Sequence, residues 1–369
     1  MGRLKAGDYL ITHEARAETM RRRGSTMPRL FGKEFSVQEL LQKVGDISQI
    51  ARVKPVRLIE GVEDGVLGFD FMTGSGLTFS VLASRGMDIS AAHYKGKPLA
   101  WRSATGDAHP YTYEPEKFGW LRGFYGGLVT TCGYSTMGFP SEDDGQQLGL
   151  HGRASYTPAY HLAWGGEWHG EQYVLFAQGC LREAIVFGEN LQLTRRIETQ
   201  LGATWLRIHD VVKNLGYKRT PHMILYHINL GWPVVSEHSY LVLDSAEIEP
   251  RDEVAAAGLE RHTRFEAPTP GFREQVYFHT LRVDPSGWAT ASIRNPEADL
   301  QVAISYRPDQ LPHFVQWKMM GEGAYVCGLE PATARVLGRA AEREAGRLQM
   351  IAPGEVREFE VRIEASRQG

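Results

Sequence analysis

From Phe79 onward, apolar residues alternate with smaller or polar ones: Phe79, Val81, Ala83, Arg85, Met87 and Ile89 fall on one side of an extended segment. A period of two belongs to a half-buried strand, and predicts one here. The same texture returns between Gln172 and Asn214, where YVLFAQ, EAIVFG, LQLTRRIETQL and TWLRIHDVVKNLG follow one another with Gly, Asn or Gln between them. That spacing predicts an antiparallel meander. Segments 241–248, 275–283, 288–294 and 300–306 continue it, and 346–351 with 356–364 form a last pair around the turn Pro353-Gly354. Helical periodicity is scarce. Ser36-Val37-Gln38-Glu39 is a capping box followed by Leu40, Leu41 and Val44, which predicts a short helix near 37–44, and the stretch from Asp252 to Arg261 is a weaker helical candidate. Strands run from about 56 to 364 with no linker and no repeat of fixed period. The expected fold is all-β, a large antiparallel sandwich with a short N-terminal helix, as one domain over 27–369.

Composition narrows the partners. The chain has 369 residues, 42% hydrophobic, enough to bury a large core. Its 41 Lys and Arg nearly balance 44 Asp and Glu, so no strong field gathers nucleic acid or an anionic membrane, and neither is expected as a partner. Three widely spaced cysteines, Cys132, Cys180 and Cys327, form no CxxC pair, which argues against a disulfide framework or a thiolate zinc site and fits a reducing cytoplasm. Residues 1–26 carry Arg21, Arg22 and Arg23 with no apolar run behind them, and read as a solvated N-terminal extension, with Met27 as an alternative start. The opening helix would cover either a sheet edge or a partner subunit, so a homodimer stays open.

Three segments set ionisable groups against apolar neighbours: Leu150-His151-Gly152-Arg153, Leu225 to Gly231 (LYHINLG), and Val326 to Pro331 (VCGLEP). In a regular strand His151 and Arg153 share a face, as do His227 and Asn229, which would line a wet surface while Tyr226, Ile228 and Leu230 enter a core. Glu330 precedes Pro331, a restrained extended position. Two histidines and a carboxylate can supply a general acid and a general base to a bound polar ring. No HExxH, P-loop or strand-following GxGxxG is present, so no cofactor is expected. His222 and His227 are oddly spaced and would point to opposite strand faces, which argues against a shared metal.

The order HGR, YHINLGWP, CGLEP and a late PGE turn at Pro353 to Glu355, with SRGMDI at Ser84 to Ile89 and a GGLxxTCG segment at Gly126 to Gly133, resembles the galactose mutarotase-like (aldose 1-epimerase) superfamily. The resemblance runs from about Met27 to the end. It implies a β-sandwich supporting a sugar-binding cleft and conversion of one aldose anomer into the other. On the matching motifs it makes His227 the acid at the ring oxygen, Glu330 the base at the anomeric hydroxyl, and His151 a sugar-binding residue; Arg85 matches a sugar-contacting arginine more loosely. Trp317 with Lys318, and Trp120 with Arg122, are candidates for a stacking wall and polar contacts, and equally for core or rim. The basic residues Arg85, Arg122, Arg153 and Lys318 raise the alternative of an anionic sugar, which requires them to face the cleft. Arg85 could instead be a structural ion pair, for instance with Asp88. Two rival functions use the same residues: a carbohydrate-binding or sensing module without turnover, and a sugar isomerase or lyase acting at another carbon.

Overall fold

The structure, a computed structural model, describes residues 27–368, and the extension expected at 1–26 lies outside the described residues. Three large antiparallel sheets carry the chain. Eight strands lie side by side in the order Tyr160–His169, Gln172–Ala184, Asn190–Gln200, Trp205–Asn214, Val356–Ser366, Leu300–Tyr306, Ala289–Asn295 and Tyr240–Leu243. Six form the sheet that carries the candidate site: β1 (Thr130–Tyr134), β2 (Met223–Leu230), β3 (Ser245–Pro250), β4 (Gln275–Leu281), β5 (His313–Met320) and β6 (Tyr325–Ala332), arranged β3-β4-β5-β6-β2-β1. The third sheet has five strands between Arg52 and Pro98.

Side-chain parity divides the six-stranded sheet. Tyr226, Ile228 and Leu230 of β2 enter the main core, together with Leu193, Ile208 and Val361 of the eight-stranded sheet and Phe69, Phe79 and Val81 of the five-stranded one. Met223 and Leu225 alternate with them and join a second apolar cluster with Trp120, Phe124, Leu150 and Val315. His227 shares their parity. Its face is not the wet surface expected, because a 3₁₀ segment, Gly119–Gly123, and its flanks close over it, and every residue of β2 is buried.

Behind β2 an ion network links all three sheets. Arg195 forks onto Asp210, at 2.9 Å from Oδ1 and 2.7 Å from Oδ2, and also reaches Asp88 Oδ1 at 3.0 Å, Thr131 Oγ1 at 2.7 Å and the Gly86 carbonyl at 3.0 Å. Tyr226 donates its hydroxyl to Asp210 at 2.6 Å. Arg195, Asp88 and Asp210 are all fully buried.

Local expectations fare unevenly. The capping box at Ser36 and Glu39 forms, but its helix stops at Leu41. Asp252 caps a helix over Glu253–Gly258, continued by a 3₁₀ turn. Among the described residues a third helix, Arg339–Glu344, adds to the two expected. Segment 241–248 breaks at Asp244, where the chain leaves the eight-stranded sheet for β3 of the six-stranded one. The alternation at 79–89 also breaks: strands Leu77–Leu82 and Asp88–Tyr94 are joined by a tight turn in which Gly86 has φ +63° and Met87 φ +52°. Arg85 sits in that turn and on no strand face. Among the described residues no helix is long and apolar enough to cross a membrane.

Candidate active site

Strands β2 and β6 pair antiparallel with Ile228 opposite Leu329 and Asn229 opposite Gly328, a register that sets His227 opposite Glu330 on the outer face. His227 Nδ1 stands 3.2 Å from Glu330 Oε1, within reach but off line, so neither atom completes a hydrogen bond within the protein. Gly328 makes this possible. A Cβ there would lie 2.2 Å from Glu330 Oε1 and 3.1 Å from the Trp317 Cβ, so the bare backbone is what admits the carboxylate beside the indole.

His151 arrives from a loop. It has φ +58° and is followed by Gly152 at φ +72°, a left-handed pair that costs a side-chain-bearing residue about 1 kcal/mol or more. Two backbone hydrogen bonds hold it: His151 N–H donates to the Gly138 carbonyl, and Gly133 N–H donates to the His151 carbonyl, both at 2.9 Å. The His151 ring centre is thereby 5.9 Å from that of His227, nearly perpendicular to it.

Aromatic rings enclose this group. Trp120 lies 4.8 Å from His151, and Phe124 and Trp317 each lie 5.2 Å from His227. Between them is a hollow of about 180 Å³ that His151, His227, Glu330, Arg251 and Glu274 also line. Arg251 is neutralised there by Asp252 and Glu274, each at 2.9 Å. Glu274 in turn accepts the Trp317 indole N–H at 2.9 Å, fixing the ring that walls the hollow.

Burial sets the protonation states. It lifts the Glu330 carboxyl well above the ordinary carboxylate range, and the nearby Glu274 charge adds to this. It pulls His227 down to about 3, helped by His151, and His151 to about 4. The resting pair is therefore neutral and holds one proton, on Glu330. Buried polar atoms of four lining residues lack a hydrogen-bonding partner in the protein: His151 Nδ1, His227 Nδ1, Glu330 Oε1 and the Trp120 indole nitrogen. Orphans of this kind cost about 1–3 kcal/mol each.

The remaining residues named from sequence fall elsewhere. Arg85 is fully buried, donating to the carbonyls of Ser155 and Ala108 at 2.6 Å and of Gly123 at 3.0 Å, beneath Tyr156. It braces loops around the site, and the partner of Asp88 is Arg195. Lys318 follows Trp317 on β5 and so points the opposite way, fully buried against Glu266 at 2.7 Å. Asn229 is spent on backbone, donating to the carbonyls of Gly127 at 3.1 Å and His227 at 2.9 Å. Arg153 is exposed beside Tyr113 because the turn at His151-Gly152 breaks the assumed strand parity, and Arg122 is exposed against Glu114. None of the four basic residues lines the hollow. Sequence reasoning missed Arg251, Glu274 and Phe124. The first two flank β3 and β4, where only the pairing of distant strands reveals them, while Phe124 stands two residues beyond Arg122, close enough to Trp120 for the same aromatic signal to find it.

The fold is a galactose mutarotase-like β-sandwich. A Klebsiella pneumoniae protein described as a candidate aldose 1-epimerase superposes with a TM-score of 0.82 at 25% identity, over 90% of this chain and 87% of that one. The galactose mutarotase-like protein of Clostridium acetobutylicum (TM-score 0.58, 12% identity, 86% and 98% covered) and the galactose 1-epimerase of Lactobacillus acidophilus (0.56, 13%, 86% and 99%) share the fold. A comparison with curated proteins finds no match. The chain belongs to the family described as a domain of unknown function, DUF4432, which matches residues 63–365.

Proposed function

We propose that this chain is a mutarotase-like isomerase that interconverts the α and β anomers of a neutral aldose. The observation that carries the reading is the His227–Glu330 pair, set face to face on neighbouring strands inside an aromatic-walled hollow with His151 beside it. One group takes the proton of the C1 hydroxyl while the other protonates the ring oxygen; the ring opens to the aldehyde, C1 turns, and closure reverses the transfers. With the resting proton on Glu330, Glu330 is the first donor, to the ring oxygen, and His227 the first acceptor, from the C1 hydroxyl, and the two exchange roles on closure. His151 donates to or accepts from a sugar hydroxyl. Among the described residues the lining carries one cation, Arg251, which Asp252 and Glu274 compensate, and this favours a neutral sugar over an anionic one.

The test is exchange NMR of anomeric protons over a panel of neutral aldoses, with acidic sugars as controls. Accelerated exchange supports the reading; broadened sugar signals without exchange make the chain a binding module, and new resonances make it a lyase or another isomerase.

The pH profile carries a sign. The active pair holds one proton, so activity is lost when a second is added, at low pH, or when the first leaves, at high pH. Depressing His227 to about 3 and raising Glu330 moves these limbs apart. kcat/KM should therefore still be level below pH 4.5, where ordinary groups would give a narrow bell between 4.5 and 6.5. Such a bell would contradict the neutral resting pair.

Gly328→Ala tests the geometry. The added methyl forces the carboxylate aside, and anomer exchange should drop at least about tenfold, with stability reduced by about 1–3 kcal/mol. Full activity in this variant would mean that Glu330 does not act from its observed position.

A further inference from the structure

The strand Gln172–Ala184 of the eight-stranded sheet ends against the loop that follows β1. Its buried Glu183 accepts, at Oε1, both the Ser135 hydroxyl and the Ser135 N–H, the latter at 3.2 Å. From the other side Arg339 donates to the Ser135 carbonyl at 3.2 Å while its Nε holds Asp143 at 2.6 Å. Ser135 is thus gripped at all three of its polar groups. It stands between the two backbone partners of His151, Gly133 before it and Gly138 after it. The loop and the His151-Gly152 turn also meet backbone to backbone. A Cβ on Gly152 would lie 2.4 Å from the Thr136 carbonyl oxygen, so neither segment can shift without the other. A histidine in a left-handed conformation persists only where its surroundings over-determine it, and Glu183 anchors the middle of what surrounds this one.

We propose that Glu183 is a positioning residue for His151, and that its state of ionisation sets how His151 is presented to the sugar. The effect on the sugar rests on the mutarotase reading; the link from Glu183 to His151 does not. Burial pushes the Glu183 carboxyl up to about 7 against the pull of its bonds to Ser135, and Glu189 adds to the rise while Arg153 opposes it. The phenols of Tyr113 and Tyr134 also face it, and burial keeps both protonated through this range. Arg339 is balanced by Asp143, and Arg182 points to the opposite strand face, where it bonds Asn190. Arg153 is therefore the cation that answers when Glu183 ionises. It is exposed, lies over the Tyr113 ring at 5.7 Å and stands two residues after His151, while Tyr113 itself donates to the Gly152 carbonyl at 3.1 Å. A charged Glu183 draws Arg153 inward and pulls on the turn that carries His151. The neutral carboxyl leaves the turn as it stands, so sugar affinity falls as pH rises through about 7.

The experiment compares the wild type with Glu183→Gln, Glu183→Ala and the exposed Arg153→Gln, across the pH range on either side of neutrality. Anomer exchange is measured after subtraction of the uncatalysed rate, and the His151 ring is followed by nitrogen NMR, its signal assigned by its loss in His151→Gln. Because His151 itself is held down at about 4, a change in its signal near pH 7 reports another group. In the wild type kcat/KM should fall about fivefold across this step, mainly through KM, and the His151 signal should move with the same midpoint. Glu183→Gln, which keeps the acceptor and cannot ionise, should retain the low-pH KM and show neither step; Arg153→Gln should shrink both. Glu183→Ala, which takes away the acceptor, should raise KM about tenfold at every pH. A wild type without either step, steps that persist unchanged in Glu183→Gln or Arg153→Gln, or a folded Glu183→Ala with unaltered KM overturns the proposal. If Glu183→Ala does not fold, the two glutamine variants decide. A His151 step that Glu183→Gln abolishes, with no exchange of any sugar, upholds the link and overturns the mutarotase reading instead.

Discussion

Glu330→Gln is expected to lower catalysed anomer exchange by roughly 10²–10⁴-fold, the contribution of one positioned acid–base group, while leaving the fold intact. The second half of that expectation comes from burial. Because the low-dielectric site keeps the resting carboxyl protonated, an amide replaces one neutral group with another of the same shape, and no buried charge is lost or left behind. His227→Asn should lose a similar factor, yet also stability of about 1–3 kcal/mol, since the ring it removes packs between Phe124 and Trp317. The two groups act together in one step, so the double variant should be little slower than either single one. Exchange NMR at saturating sugar, beside thermal unfolding of each variant, separates these outcomes. A folded Glu330→Gln protein that keeps more than about a tenth of the rate would remove Glu330 from the chemistry.

Parity is why the face-to-face pair is legible in the sequence. His227 alternates with Tyr226 and Ile228, and Glu330 with Leu329, so each polar group has to emerge opposite a core-facing neighbour; the motif order then suggests that the two strands meet. The all-β architecture is legible for the same reason. Parity fails where a strand ends unannounced. Arg85 keeps the alternation of Phe79 to Ile89, but Gly86 and Met87 take left-handed conformations and turn it into a brace beneath the loops. His151 and Arg153 are separated by the same device. Trp317 and Lys318 look like one contact set in the motif, although adjacent strand positions point to opposite faces. Arg251 and Glu274 carry no local signal, because what brings them to the site is the pairing of β3, β4 and β5, which depends on residues far apart in the chain.

Arg195→Met is expected to destabilise the protein by about 3–5 kcal/mol, because it strands the buried carboxylates of Asp88 and Asp210 in the core. The pairing is demanding: one guanidinium serves both oxygens of Asp210 while also reaching Asp88, Thr131 and the Gly86 carbonyl. An ammonium is a single point charge and cannot fork in this way, so Arg195→Lys should recover only part of the loss. If uncompensated charge is the cause, adding Asp210→Asn to Arg195→Met should recover part of the stability, the remainder being lost to Asp88, which stays unpaired. Denaturant unfolding of the wild type, both single variants and the double variant tests this. An Arg195→Met protein within about 1 kcal/mol of wild type, or a double variant weaker than the single one, would show that the network is not a charge-balanced link. The link matters to the site because Tyr226 precedes His227 on β2: the hydroxyl that Asp210 holds behind the sheet sets the strand on which the imidazole faces forward.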